Sequence, residues 1–121
     1  MADPGLIRIC DAGCLVDGGR GVRFEVGRGG KAVSAFAVRH QGRVTAYLNR
    51  CSHLGLELDW IEGRFFDAES RWLICAAHGA LYDPSSGACI GGACAGREGL
   101  MALEVVERDG AIYCRAEPVP E

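Results

Sequence analysis

A chain of 121 residues with a formal charge of −3 can build one small domain with a real core, but not two. The acidic balance argues against nucleic acid as a partner, since that would call for a basic face. No apolar run approaches the ~20 residues that a membrane-spanning helix needs.

With 18 glycines and 4 prolines the composition suits a loop-rich β domain better than a helical one. The opening Met1-Ala2-Asp3-Pro4-Gly5 has neither the basic nor the apolar region of a secretion signal, so a soluble cytoplasmic protein is expected. Short strands are expected near residues 6–10 and 22–26. Over residues 31–40, Val33, Ala35 and Ala37 alternate with Ala32, Phe36 and Val38, which reads as a strand buried on both faces. Gln41-Gly42 is a turn, and residues 43–49 return as the second strand of a hairpin. Further strands are expected at 72–75, 101–107 and 111–115, with Asp109-Gly110 as the tight turn between the last two. No segment sustains a helical period. The tail Glu117-Pro118-Val119-Pro120-Glu121 should be extended and frayed.

Two clusters sit in the middle of this pattern, each just after a strand. They are Cys51-Ser52-His53 and Cys75-Ala76-Ala77-His78, with residues 54–74 between them. A loop leaving a strand end is a good place for ligands, because the scaffold is rigid and the loop backbone can donate hydrogen bonds. Two thiolates and two imidazoles suit an iron–sulfur centre in which two histidines replace two cysteines on one iron. They also suit tetrahedral zinc, in a zinc-stabilised interaction module. Zinc sites more often pair Cys with Cys and His with His at short spacing, so one Cys and one His per loop favours iron. Nucleophilic Cys–His catalysis fits poorly, because the pattern is duplicated and has no third orienting residue. His40, standing alone, reads as a buried, hydrogen-bonded histidine.

Five other cysteines remain: Cys10, Cys14, Cys89, Cys94 and Cys114. An odd number without a secretion signal reads as mostly unpaired, buried thiols that act as small core residues. The pairs Cys10/Cys14 and Cys89/Cys94 lack the further His or Cys that a second metal site would need. Gly55, Gly79, Gly87, Gly91, Gly92, Gly96 and Gly99 surround the two boxes and allow close backbone approach. The acidic residues Glu57, Asp59, Glu62, Asp67 and Glu69 form either a solvated loop or a docking face for a basic partner.

The run Cys51-Ser52-His53-Leu54-Gly55, the run Cys75-Ala76-Ala77-His78-Gly79-Ala80-Leu81-Tyr82-Asp83, and then Ser86-Gly87 and Gly91-Gly92 resemble the Rieske-type [2Fe–2S] ferredoxin domain family. The resemblance covers residues 5–115. It implies an all-β fold, an antiparallel β-sandwich with a cluster-binding subdomain inserted at about 46–96, in a single domain spanning 1–121. It implies one [2Fe–2S] cluster with Cys51 and Cys75 on one iron and His53 and His78 on the other. The function implied is a soluble one-electron carrier, not an enzyme in its own right, linking a reductase to an oxygenase or similar acceptor. The alternative is a small redox subunit of a larger, nitrite-reductase-like oxidoreductase. A Rieske oxygenase needs a second, mononuclear iron held by two histidines and a carboxylate, and only His40 is left over.

Departures from the high-potential members of the family bear on the redox chemistry. Those proteins carry an extra cysteine in each box, joined in a disulfide; here the matching positions are Leu56 and Ala77. Their serine that donates to a bridging sulfide is here Ala80, while their tyrosine is kept as Tyr82. Hydrogen bonds to the sulfurs favour the more negative reduced state, and with the disulfide and the serine absent, two of three potential-raising devices are missing. We expect a midpoint in the lower half of the Rieske range of roughly −150 to +300 mV. Ligand histidines on an oxidised centre become more acidic, so the potential should also fall at alkaline pH. One redox titration across pH checks both expectations. A midpoint near the top of that range contradicts the first, and a flat profile contradicts the second.

Overall fold

The computed structural model describes residues 5–50, 57–59, 61–76, 79–92 and 99–119. Nine strands lie within them: β1 (Leu6–Asp11), β2 (Val22–Arg28), β3 (Lys31–His40), β4 (Arg43–Leu48), β5 (Leu73–Ile74), β6 (Leu81–Tyr82), β7 (Cys89–Gly91), β8 (Ala102–Arg108) and β9 (Ala111–Arg115). A 3₁₀ turn at Ala12–Cys14 is the one helical element among the described residues. The strands form a six-stranded sheet in the order β1-β9-β8-β4-β3-β2 and a three-stranded sheet in the order β5-β6-β7. Every pairing between these strands is antiparallel, so the expected all-β architecture is present.

Three two-residue turns fix the register of the large sheet. Gly29-Gly30, Gln41-Gly42 and Asp109-Gly110 join the pairs Arg28↔Lys31, His40↔Arg43 and Arg108↔Ala111. In each turn both central residues have positive φ, between 51° and 81°. That is the type I′ geometry, whose twist matches the twist of the strands it joins. The last two turns were legible in the sequence, and Gly29-Gly30 completes the set.

β3 is buried on both faces, as its composition implies. Ala35 and Ala37 pack into two apolar clusters with Val26, Leu48, Cys114, Cys10, Leu15 and Ile112. Phe36 and Val38 point the other way, into a third cluster with Tyr47, Leu58, Phe65, Leu73, Cys75, Ala80 and Tyr82. This third cluster joins the two sheets. The Phe36 and Phe65 rings stack with centroids 4.0 Å apart. The Tyr47 hydroxyl and the Thr45 hydroxyl both donate to the carbonyl of Pro84, each at 2.8 Å. Gly87 lies so close to the Tyr47 ring that a Cβ there would sit 2.7 Å from it. The chain leaves the large sheet after Leu48 and re-enters beside it, where the Leu48 N–H donates to the Met101 carbonyl. The small sheet is therefore an insertion between two adjacent strands.

Several sequence expectations need correction. The tail is not frayed through its described part: the Gly27 N–H donates to Glu117 O at 2.8 Å. A Cβ at Gly27 would fall 2.0 Å from the Pro118 carbonyl oxygen, so the strap crosses β2 where only glycine fits. Residues 120 and 121 lie outside the described part. Among the spare cysteines, Cys10 and Cys114 are buried thiols, but Cys14 is exposed. Cys89 is disulfide-bonded, against the expectation of an unpaired thiol.

Cys114 is fully buried beside Val26, Ala35 and Leu48. Burial first, and then the nearby Glu104 carboxylate, push its thiol up to about 11. The folded state thus favours the neutral thiol. Its contribution to stability is complete below an ordinary cysteine pKa near 9.0 and is lost as pH rises through about 11. Thermal unfolding across that window should show the wild type losing stability more steeply than Cys114→Ala. Parallel curves for the two would mean that ionisation of this thiol is not coupled to folding.

Candidate metal centre

The first box is entered from Asn49, the buried residue that follows β4. Its N–H donates to Ser34 O at 2.9 Å, which continues the sheet by one residue. Its side chain faces the inserted lobe and is satisfied twice. Nδ2 donates to Asp59 Oδ1 at 2.9 Å, and Oδ1 accepts from the Leu58 N–H at 2.9 Å. Asp59 has no exposed side-chain surface. Its second oxygen accepts from the Gly63 N–H at 3.0 Å and lies 3.7 Å from Arg23 Nε. A buried carboxylate needs such partners, because an unpaired charge away from water is expensive. Arg23, on β2, also pairs with Glu57 and Glu62. Burial by itself would lower the Arg23 pKa, but Asp59, Glu57 and Glu62 together leave it raised.

These contacts decide the role of the acidic insert. Glu57, Asp59 and Glu62 converge on Arg23, Glu69 pairs with Arg71, and Asp67 accepts from the Arg71 backbone N–H. Asp59 is thus part of the core, whereas Glu57, Glu62 and Glu69 stay exposed.

The second box follows β5, whose partner β6 returns immediately after it. The Cys75 N–H donates to Ala80 O at 2.9 Å, and the Gly79 N–H donates to Cys75 O at 2.8 Å. The Ala76 N–H donates across the lobe to Leu58 O at 3.0 Å. Leu58 thus bridges the two boxes: its N–H is held by Asn49 and its carbonyl by Ala76. Cys75 itself is fully buried and keeps its thiol, packed with Leu58, Ala80 and Tyr82. Ala80, also fully buried, offers no hydroxyl. Tyr82 is fully buried on β6, opposite Leu73 on one side and Cys89 on the other.

Cys51, His53 and His78 lie outside the described residues, as does Cys94. What surrounds the boxes nonetheless fits a bulky cluster held by Cys and His. Cys75 offers sulfur at the end of a strand, and the Ala76 N–H is held by the Leu58 carbonyl. Among the described residues no group of three or more His, Cys, Asp or Glu converges. His40 belongs to neither box. It stacks on Phe66 at 5.7 Å, and its buried Nδ1 has no hydrogen-bond partner. It is thus not fully hydrogen-bonded, as the sequence reading had it.

The Asp59 clamp makes a quantitative claim. Asp59→Ala strips a partner from Asn49, from the Gly63 N–H and from Arg23, and should destabilise the fold by about 2–4 kcal/mol. Glu57→Gln, at the exposed end of the same Arg23 cluster, should cost no more than about 1 kcal/mol. Denaturant unfolding of both variants checks the contrast. Equal effects would show that Asp59 is not the centre of the clamp.

Comparison with known proteins puts this geometry in a family. No curated protein sequence matches the chain. Among solved structures it is similar to the ferredoxin of carbazole 1,9a-dioxygenase from Nocardioides aromaticivorans IC177. That match has 24% identity and a TM-score of 0.67 over 96% of this chain and 98% of that one. A complex of reduced oxygenase and oxidized ferredoxin in carbazole 1,9a-dioxygenase matches with 19% identity and a TM-score of 0.70, over 98% of this chain and 100% of that one. The terminal oxygenase of carbazole 1,9a-dioxygenase from Novosphingobium sp. KA1 matches with 18% identity and a TM-score of 0.75, over 96% of this chain but only 31% of that one. At these identities the likeness speaks for the fold. The family model for the Rieske [2Fe-2S] domain matches residues 8–107, and the chain therefore belongs to the Rieske [2Fe–2S] domain family.

Proposed function

We propose that this protein is a Rieske ferredoxin that carries single electrons from a reductase to a terminal oxygenase or a similar acceptor. The observation that carries the reading is the Rieske [2Fe-2S] family match over residues 8–107, with a fold similar to that of a dioxygenase ferredoxin. The chain spans 98% and 100% of the two ferredoxin-length chains it resembles, but 31% of the terminal oxygenase. The printed pairing of a ferredoxin with an oxygenase in one complex supports an acceptor of that kind.

In this reading Cys51 and Cys75 hold one iron and His53 and His78 the other. The bound cluster supplies a one-electron couple. Everything else falls to the protein. The Ala76–Leu58 hydrogen bond ties the start of the second box to the insert, Cys75 is kept from water, and Tyr82 and Ala80 pack with Phe36 and Tyr47 in one cluster. No described helix is long and apolar enough to cross a membrane. We place the protein in the cytoplasm, a setting that suits its thiols at Cys10, Cys14 and Cys114.

The purified protein should be red-brown, with about two irons and two acid-labile sulfides per chain. Cys75→Ser and His78→Ala should each abolish the visible absorption, while His40→Ala leaves it intact. The chemically reduced protein should reduce an oxidised Rieske terminal oxygenase in stopped-flow mixing. A colourless protein with one zinc overturns the cofactor assignment. A coloured protein that co-purifies with a stoichiometric large partner overturns the diffusing carrier in favour of a subunit.

A further inference from the structure

Three carboxylates share the Arg23 guanidinium, but water screens them unequally. The side chain of Asp59 has no exposed surface, whereas those of Glu57 and Glu62 are 48% and 79% exposed and that of Arg23 is 30% exposed. Every contact of Asp59 suits an ionised acceptor. Oδ1 accepts from Asn49 Nδ2 at 2.9 Å, Oδ2 accepts from the Gly63 N–H at 3.0 Å, and Arg23 Nε lies 3.7 Å away. The last is a charge pair and not a hydrogen bond. Because the Arg23 charge lies partly in water, it offsets that of Asp59 only in part, and the lobe keeps a net negative field.

We propose that Asp59, with Arg23 as its counter-charge, tunes the redox potential of the centre through its buried charge. The proposal rests on the ligand reading given above. Asp59 is tied to the described ends of both boxes. Its partner Asn49 stands two residues before Cys51 in the chain. Its neighbour Leu58 packs with Cys75 in one cluster and accepts from the Ala76 N–H at 3.0 Å. Reduction adds one negative charge to a centre held there, and a fixed carboxylate in the same lobe opposes that addition. Burial keeps water and counter-ions from screening the opposition, which would be weak between exposed charges. The effect acts through space and needs no hydrogen bond to the centre. It works in the same direction as the missing disulfide and serine, towards a low potential.

The ion pair allows field to be separated from packing. Asp59 and Arg23 form one contact, and removing either side chain breaks it. A purely structural role would therefore make both substitutions act alike. An electrostatic role makes them opposite, because loss of Asp59 removes a negative charge and loss of Arg23 uncovers one. Glu57 provides the control, since it faces the same arginine from solvent.

The test is a redox titration of the full-length, iron-loaded protein. Asp59→Asn should shift the one-electron equilibrium several-fold towards reduced protein, and Arg23→Gln several-fold towards oxidised protein, a tenfold change being about 59 mV. Arg23→Lys, which keeps the charge, should return the wild-type value. Both shifts should persist in high salt, whereas Glu57→Gln should match the wild type there. Shifts in the same direction overturn this inference, as do unchanged potentials in variants that keep iron, sulfide and visible absorption. Either result leaves the ligand reading standing. If Asp59→Asn fails to fold, the comparison of Arg23→Gln with Arg23→Lys decides. A lower potential for the first alone supports the proposal, and equal potentials overturn it. A wild-type protein without iron and sulfide overturns the ligand reading and this inference together.

Discussion

The carboxylate of Asp59 is the constraint on which the rest of the molecule turns. A polar group with no exposed surface must be fully partnered, and Asp59 meets that demand by drawing on three separate parts of the chain. Asn49 comes from the end of β4, Gly63 from within the insert and Arg23 from β2. Satisfying one side chain thus fixes where the first box begins, how the chain after it folds back, and how the insert sits on the large sheet. Apolar packing alone would hold the lobe on the sheet with less precision, because burial is not directional. The directional bonds at Asn49 and Asp59 set the register.

That clamp would have nothing to grip without a two-faced platform. β3 supplies it through small and large residues in alternation. Ala35 and Ala37 pack into the two clusters on one face of the large sheet, while Phe36 and Val38 offer bulk to the lobe. The Phe36–Phe65 stack and the Tyr47 hydroxyl on Pro84 then carry the contact across to both ends of the small sheet. At Gly87 and Gly27 the approach is so close that a side chain is excluded. Those two glycines are required by packing, whereas the turn glycines are required by backbone angle.

How much of this was legible in the sequence depends on how local each signal is. The hairpins at Gln41-Gly42 and Asp109-Gly110 were readable because two adjacent residues determine a type I′ turn. The double burial of β3 was readable because ten residues give a pattern. β6 and β7, of two and three residues, carry no periodicity and exist only because the lobe folds around them. The boxes at Cys51 and Cys75 stood out by spacing, yet the residues that fix their loops did not. Nothing local marks Asp59 as buried among five acidic neighbours, because its partners lie 10 and 36 residues away at Asn49 and Arg23. The bond at Cys89 was likewise hidden, since nothing local in the sequence distinguishes a bonded sulfur from a thiol.

The same contrast explains why the site suits electron transfer. The Cys75, Ala76 and Gly79 N–H groups and the Asn49 side chain are all bound to groups that are not ligands. The described residues that flank the boxes are therefore held by the protein's own hydrogen bonds, and a change of one electron at the centre need not break them. Dipoles fixed in advance cost no reorganisation when charge arrives. A carrier that accepts and releases the same electron gains most from that economy, because any reshaping would be incurred in both directions. Fully buried Cys75 also packs against the cluster that holds Phe36 and Tyr47, which keeps water from its sulfur on that side.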